Sequence, residues 1–210
     1  MMTAPVDLFG MPALDPGQSQ YFTPAWLARK LADWVPPTAR VCEPTAGSGN
    51  LIEPLIRRGH DPGLIVAVER DPRWAAYLRD SFPSITVICG DFTALSPADQ
   101  RIVNRSQVFI GNPPFEANFH AEVVCRALKI ARLFAGIFPV TFESTQERDR
   151  TLWAKLGRTS RRAWLPERVD YGAKMGPSFE SLALLITRRD QARQPDEIRM
   201  VSEETWRPAP

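Results

Sequence analysis

With 210 residues and 44% apolar side chains, the chain can bury one substantial core and is too apolar to be disordered. A formal net charge of +2 does not by itself announce a polyanion partner. No apolar run reaches the roughly 18 residues of a membrane span, and the polar, proline-containing start is no signal peptide, so a cytoplasmic protein with no membrane partner is expected.

Residues 1–20, rich in Pro, Gly and small polar residues, read as a flexible leader. A single globular domain is expected over residues 21–190, and a tail over 191–210. "FTPAWLARKLADWV" predicts a helix, with Thr23 as N-cap, Pro24 in the first turn and Trp26, Leu27, Leu31 and Trp34 on one face. "RVCEP" predicts a strand that enters a glycine turn, "TAGSGN", and then a helix near "LIEPLIRRG". "LIVAVER" is a continuous apolar run of the buried parallel-strand type, "DPRWAAYLRDSF" a helix and "ITVICGD" a third strand. "QVFIGN" is the fourth strand, "EANFHAEVVCRALKIARL" a long helix and "FAGIFPVTF" a fifth strand. Residues 145–156 look helical, and "SLALLITRR" reads as one more buried strand. This alternation predicts an α/β fold with right-handed crossovers: a doubly wound, mostly parallel sheet. Cys42, Cys89 and Cys125 are widely spaced among apolar neighbours and read as buried free thiols. His60 and His120 have no ligand-spaced partners, so no metal is expected.

In such a sheet ligands sit beyond the carboxyl ends of the strands, which selects the loops "CEPTAGSGN", "VERDP", "CGDFT" and "GNPPF". Gly47 and Gly49 permit a tight turn that a ligand can approach closely. The third glycine of a dinucleotide fingerprint is absent, as is the Lys-Ser/Thr pair of a phosphate loop. Glu69 ends the second strand, where an acid can accept both hydroxyls of a ribose. Asp91, followed by Phe92, ends the third, where a carboxylate can take an exocyclic amine while a ring lies against a base. Either acid alone has a helix-capping alternative, but together they suit an adenosine without phosphate. That points to S-adenosylmethionine.

The corner "NPPF" completes the set. Proline pushes Asn112 into an extended conformation, and neither Pro113 nor Pro114 brings an N–H. The Asn112 side-chain carbonyl and the Pro113 backbone carbonyl can aim at one point as twin acceptors, with Phe115 able to stack on a ring. Two acceptors on an aryl amine localise its lone pair and make it nucleophilic.

In order, "YFTP", "CEPTAGSGN", "VERD", "GDF" and "GNPPF" resemble the S-adenosylmethionine-dependent N6-adenine DNA methyltransferases, in the amino-methyltransferase group whose "FTP" segment precedes the glycine turn. The resemblance covers about residues 20–145 and implies a Rossmann-like class I methyltransferase fold, with residues 21–190 as its catalytic domain. It implies that Thr23 binds the methionine carboxylate, with Tyr21 and Phe22 against the cofactor. Glu43, Pro44, Ala46 and the Gly47 turn would hold the amino-acid end, Glu69 the ribose, and Asp91 with Phe92 the adenine. Asn112, Pro113, Pro114 and Phe115 would receive an adenine flipped from double-stranded DNA, with Tyr171 or Phe179 on its other face. The family's large recognition domain has no room here, so a partner subunit could supply sequence recognition. The same corner also occurs in enzymes acting on ribosomal RNA or a protein glutamine, and a catalytically silent DNA-binding subunit is a further alternative.

Between Arg148 and Arg168 lie Arg150, Lys155, Arg158, Arg161 and Arg162, against only Asp149 and Glu167. Arg158, Arg161 and Arg162 are the expected phosphate contacts; the alternative is a solvated face, or pairing with acids such as Glu143, Glu147 and Glu167.

Overall fold

The structure is a computed structural model that describes Pro12 and residues 22–115, 118–144, 149–165, 180–188 and 196–199. The first helix, α1 (Ala25–Ala32), buries Leu27, Ala28, Leu31 and Ala32. Pro24, not Thr23, occupies the N-cap position, and no side chain caps the helix. Thr23 is instead buried, its carbonyl accepting from Asn50 Nδ2 at 2.9 Å. The chain then alternates through β1 (Val41–Glu43), α2 (Ile52–Arg57), β2 (Ile65–Glu69), α3 (Pro72–Ser81) and β3 (Thr86–Cys89). It continues through α4 (Pro97–Val103), β4 (Val108–Gly111), α5 (Phe119–Ile130) and β5 (Leu133–Pro139). Three strands complete the sheet: β6 (Gly157–Trp164), β7 (Ser181–Arg188) and β8 (Asp196–Arg199).

These strands form one sheet in the order β3-β2-β1-β4-β5-β7-β6-β8. Strands β1 to β5 pair in parallel, and β7 runs antiparallel to both β5 and β6. The doubly wound, mostly parallel α/β fold is therefore present, with one reversed strand that an apolar run cannot announce. A strand covered on both faces is apolar whichever way it runs. Strand residues alternate between two cores. Val41, Ile110, Ala135 and Ile137 pack with α1 and α2 on one face, and Cys42, Phe109, Phe134 and Phe138 pack with α5 on the other.

Several sequence expectations change. The long helix starts only at Phe119, after Asn118 adopts a left-handed φ of 61°. The fifth strand stops at Pro139, and Val140–Glu143 form a 3-10 turn. Within 145–156, the described Asp149–Trp153 form a π-helical turn, and 145–148 lie outside the described residues. Part of the expected basic stretch is β6, and part of the expected tail is β8, which pairs in parallel with β6. Helix α4 buries only Val103, so its marks in the sequence are Ser96 as N-cap and Pro97 at its start, not an apolar run. Cys42 is buried as expected, but Cys89 is exposed because it ends the sheet's outermost strand.

Candidate active site

The glycine turn after β1 is held by the Glu69 side chain and by the backbone carbonyl of Thr23. Gly47 has φ +52° and Gly49 φ +80°, both in the region that favours glycine. A Cβ on Gly49 would also lie 2.6 Å from the Phe82 ring. The Gly47 amide donates to Glu69 Oε2 at 2.7 Å, fastening the turn to the end of β2. Asn50 accepts from Ser48 Oγ at 2.8 Å and donates to the Thr23 carbonyl at 2.9 Å, tying the "FTP" segment to the same turn. The residue that breaks the dinucleotide fingerprint thus joins two walls of the site.

Glu69 is fixed from its other side as well: its Oε1 accepts from the Asp71 amide at 2.8 Å. Asp71 in turn caps α3 through the Arg73 amide and pairs with the Arg73 guanidinium at 2.6 Å, which holds the Asp71 carboxyl below the usual carboxylate range. Both Glu69 oxygens accept one amide, and each keeps a lone pair for a hydroxyl. Asp91 uses Oδ1 for the Thr93 amide and hydroxyl, each at 2.7 Å, capping the short 3-10 turn Phe92–Ala94. Capping and ligand-binding are compatible here, because capping uses one oxygen of the carboxylate.

One open cleft is lined by Phe22, Thr23, Glu43, Pro44, Ala46, Gly47, Glu69, Asp91, Phe92, Asn112 and Pro114. Residues selected from five separate stretches of sequence therefore meet in one place. Phe92 lines the cleft and is also a core residue, its ring edge-on to Phe109 at 5.6 Å. Pro113 is buried behind the cleft, and Phe115 packs against the first core with its ring edge-on to His120 at 5.9 Å. Tyr21, Tyr171 and Phe179 lie outside the described residues. Thr45, Ser48, Asn50, Arg70, Trp74 and Phe119 also line the cleft and were not foreseen. Trp74 sits in the first turn of the helix that follows Glu69, and that position was the available signal. Its ring meets Phe22 at 5.3 Å, and its buried Nε1 has no hydrogen-bond partner among the described residues.

Glu43 is the electrostatic oddity of the site. It is 3% exposed, and its Oε2 has no hydrogen-bond partner among the described residues. Burial raises its carboxyl well above the usual carboxylate range, and the charge of Glu69 raises it further. A buried carboxylate without a partner fits a ligand that brings a positive charge, such as an ammonium or a sulfonium. The consequence has a sign. Without ligand the folded state favours protonated Glu43, so its contribution to stability declines as pH rises from the ordinary carboxylate range towards the raised value. A bound cation favours the ionised form, so affinity should rise with pH across that same window. Glu43→Gln is expected to flatten this dependence and weaken binding while leaving thermal stability at neutral pH unchanged or higher. Calorimetry with S-adenosylhomocysteine across pH measures it, and the same pH slope in the variant would refute it.

The three candidate arginines are placed by β6, with Arg158 at its start and Arg161 and Arg162 past an irregularity in its pairing with β7. The Arg162 guanidinium pairs with Glu143 at 2.6 Å, and Glu143 also accepts from Thr159 Oγ1 at 2.6 Å. Arg161 lies over the Trp34 ring at 5.7 Å. Arg158 is exposed at the opposite end of the strand from Trp164. Among the described residues, no group of three His, Cys, Asp or Glu could hold a metal ion, and no helix is long and apolar enough to cross a membrane.

No protein-family model and no curated protein matches the chain. Solved structures do. A candidate RNA methyltransferase of Pyrococcus horikoshii is similar with TM-score 0.65 and 18% identity, over 85% of this chain and 92% of that one. The 23S rRNA methyltransferase ErmE is similar with TM-score 0.59 and 19% identity, over 82% of this chain and 71% of that one. A component of a type I R-M system is similar with TM-score 0.60 and 16% identity, over 86% of this chain and 44% of that one. With its strand order and its cleft at the carboxyl ends of β1, β2, β3 and β4, the chain has the Rossmann-like fold of class I S-adenosylmethionine-dependent methyltransferases.

Proposed function

We propose that the protein transfers a methyl group from S-adenosylmethionine to the N6 amine of an adenine flipped out of double-stranded DNA. The observation that carries this reading is the cleft itself, where Asn112 and Pro114 stand beside Glu43, Glu69 and Asp91. Glu43 and the Gly47 turn would hold the amino-acid end, with Thr23 and Phe22 across from it, and Trp74 beside Phe22 supplies a buried N–H donor. Glu69 would accept the ribose hydroxyls, and Asp91, through Oδ2, the adenine amine. The cofactor supplies an electrophilic methyl group on a sulfonium. Asn112 and the Pro113 carbonyl would accept the two N6 hydrogens, aligning the amine's lone pair with that carbon as the carbon–sulfur bond breaks. The nitrogen becomes cationic as the new bond forms and then loses a proton to water, so no strong base is required.

A second reading, adenine in RNA, draws on the similarity to structures named as RNA methyltransferases. One experiment separates them. Host DNA and RNA, from cells with and without the protein, are digested to nucleosides. N6-methyldeoxyadenosine appearing on expression supports DNA, and N6-methylated adenosine confined to RNA supports the second reading. Neither product, despite cofactor binding, would refute both.

A further inference from the structure

The end of the sheet away from the cleft carries a row of arginines drawn from distant parts of the sequence. Arg40 stands just before β1, and its carbonyl accepts from the Gln107 and Val108 amides where β4 begins. The Gln107 carbonyl accepts from Arg132, just before β5, and the Arg132 carbonyl accepts from Arg188, the last residue of β7. Gly157 and Arg158 pair with Arg188 and Thr187, so β6 starts at the same level. Arg105 precedes Gln107 by two residues. Arg40, Arg105, Arg132 and Arg158 are all exposed, and none forms an ion pair among the described residues.

From β1 to β6 the row crosses four strand spacings, about 19 Å at about 4.8 Å each. At its β1 end, Arg40 and Arg105 border a groove that includes Gly63, Thr86 and Ser106. Ser106 is 5% exposed, and its Oγ has no hydrogen-bond partner among the described residues. The nearby Asp61 carboxylate accepts from the Gly63 amide at 2.9 Å. Helix dipoles account for part of the pattern, since Arg105 and Arg132 follow the C-terminal ends of α4 and α5. They do not account for Arg40 or Arg158, which stand at strand starts.

We propose that this edge is a second contact surface for nucleic acid, binding its phosphate backbone away from the base that enters the cleft; it rests on the nucleic-acid substrate proposed above. Apart from Asp61 beside the groove, the charges named along this edge are positive, follow the row of strand ends, and are presented by guanidinium groups that match phosphate oxygens in pairs. Contacts of this kind position a nucleic acid without reading its sequence.

The test is binding of a labelled DNA duplex and a labelled RNA at several salt concentrations, with S-adenosylhomocysteine present. Replacing Arg40, Arg105, Arg132 and Arg158 together by Gln should flatten the plot of log affinity against log salt by about 0.9 per lost phosphate contact on duplex DNA, roughly 3 to 4 units in all. Loss on DNA alone or RNA alone identifies the backbone this edge binds. The fourfold Lys variant should keep the slope, and affinity for S-adenosylhomocysteine should not change in either. If the fourfold Gln variant does not fold, Arg40→Gln and Arg158→Gln singly should each remove about 0.9. An unchanged slope on both nucleic acids overturns the proposal and leaves this edge to an acidic protein surface. Equal loss in the Lys variant overturns it too. Failure of the methyltransferase reading is separable: wild type would then yield no methylated adenine while the Gln variant still lost slope.

Discussion

Asn112→Ala is expected to reduce methyl transfer to adenine by about 10²–10³-fold, the usual effect of deleting one preorganised contact to developing charge. Asn112 is half-buried and lines the cleft just after the carboxyl end of β4, where Gly111 pairs with Gly136. Its neighbour Pro113 is buried, so the backbone carrying both acceptors is anchored in the core and not in a mobile loop. Removing the amide leaves Glu43, Glu69 and Asp91 untouched, so affinity for S-adenosylhomocysteine should change little. A large rate loss with retained binding places the lesion on the transferred group. A variant that transfers methyl groups at the normal rate would locate the chemistry elsewhere.

Asp91→Asn should weaken cofactor binding by about tenfold to a hundredfold, the effect of losing a hydrogen bond to a charged group worth about 1.5–3 kcal/mol. Asparagine is the informative replacement because of the Thr93 contacts. Alanine would also remove the cap on the 3-10 turn Phe92–Ala94, and with it about 1 kcal/mol of local stability. Asparagine can keep capping through its oxygen while turning an N–H donor towards the adenine amine, which is itself a donor. Calorimetry should therefore show weakened binding with an unchanged thermal midpoint. Tight binding of a nicotinamide dinucleotide by the wild type would refute the cofactor assignment behind this prediction.

By itself the sequence determined the parallel half of the fold and most of the cleft. A buried parallel strand is a short apolar run, and a ligand-facing loop is the polar residue that ends it, so Glu69, Asp91 and Asn112 could be read locally, while Glu43 came from the family resemblance. Those strands need no distant residue to be recognised, and doubly wound topology then brings their ends together. Tertiary structure alone decided the rest. "GRTSRRAW" is too polar to read as a strand, and becomes β6 because β7 and β8 pair with it while Glu143 and Trp34 engage Arg162 and Arg161. Asn50 and Trp74 belong to the cleft through contacts with Thr23 and Phe22, more than 20 residues away in sequence. The arginine edge joins positions from Arg40 to Arg188 through strand register alone. Periodicity records which face of an element is buried; it does not record which element lies beside it, because pairing is fixed by long-range backbone hydrogen bonds and packing that no local window contains.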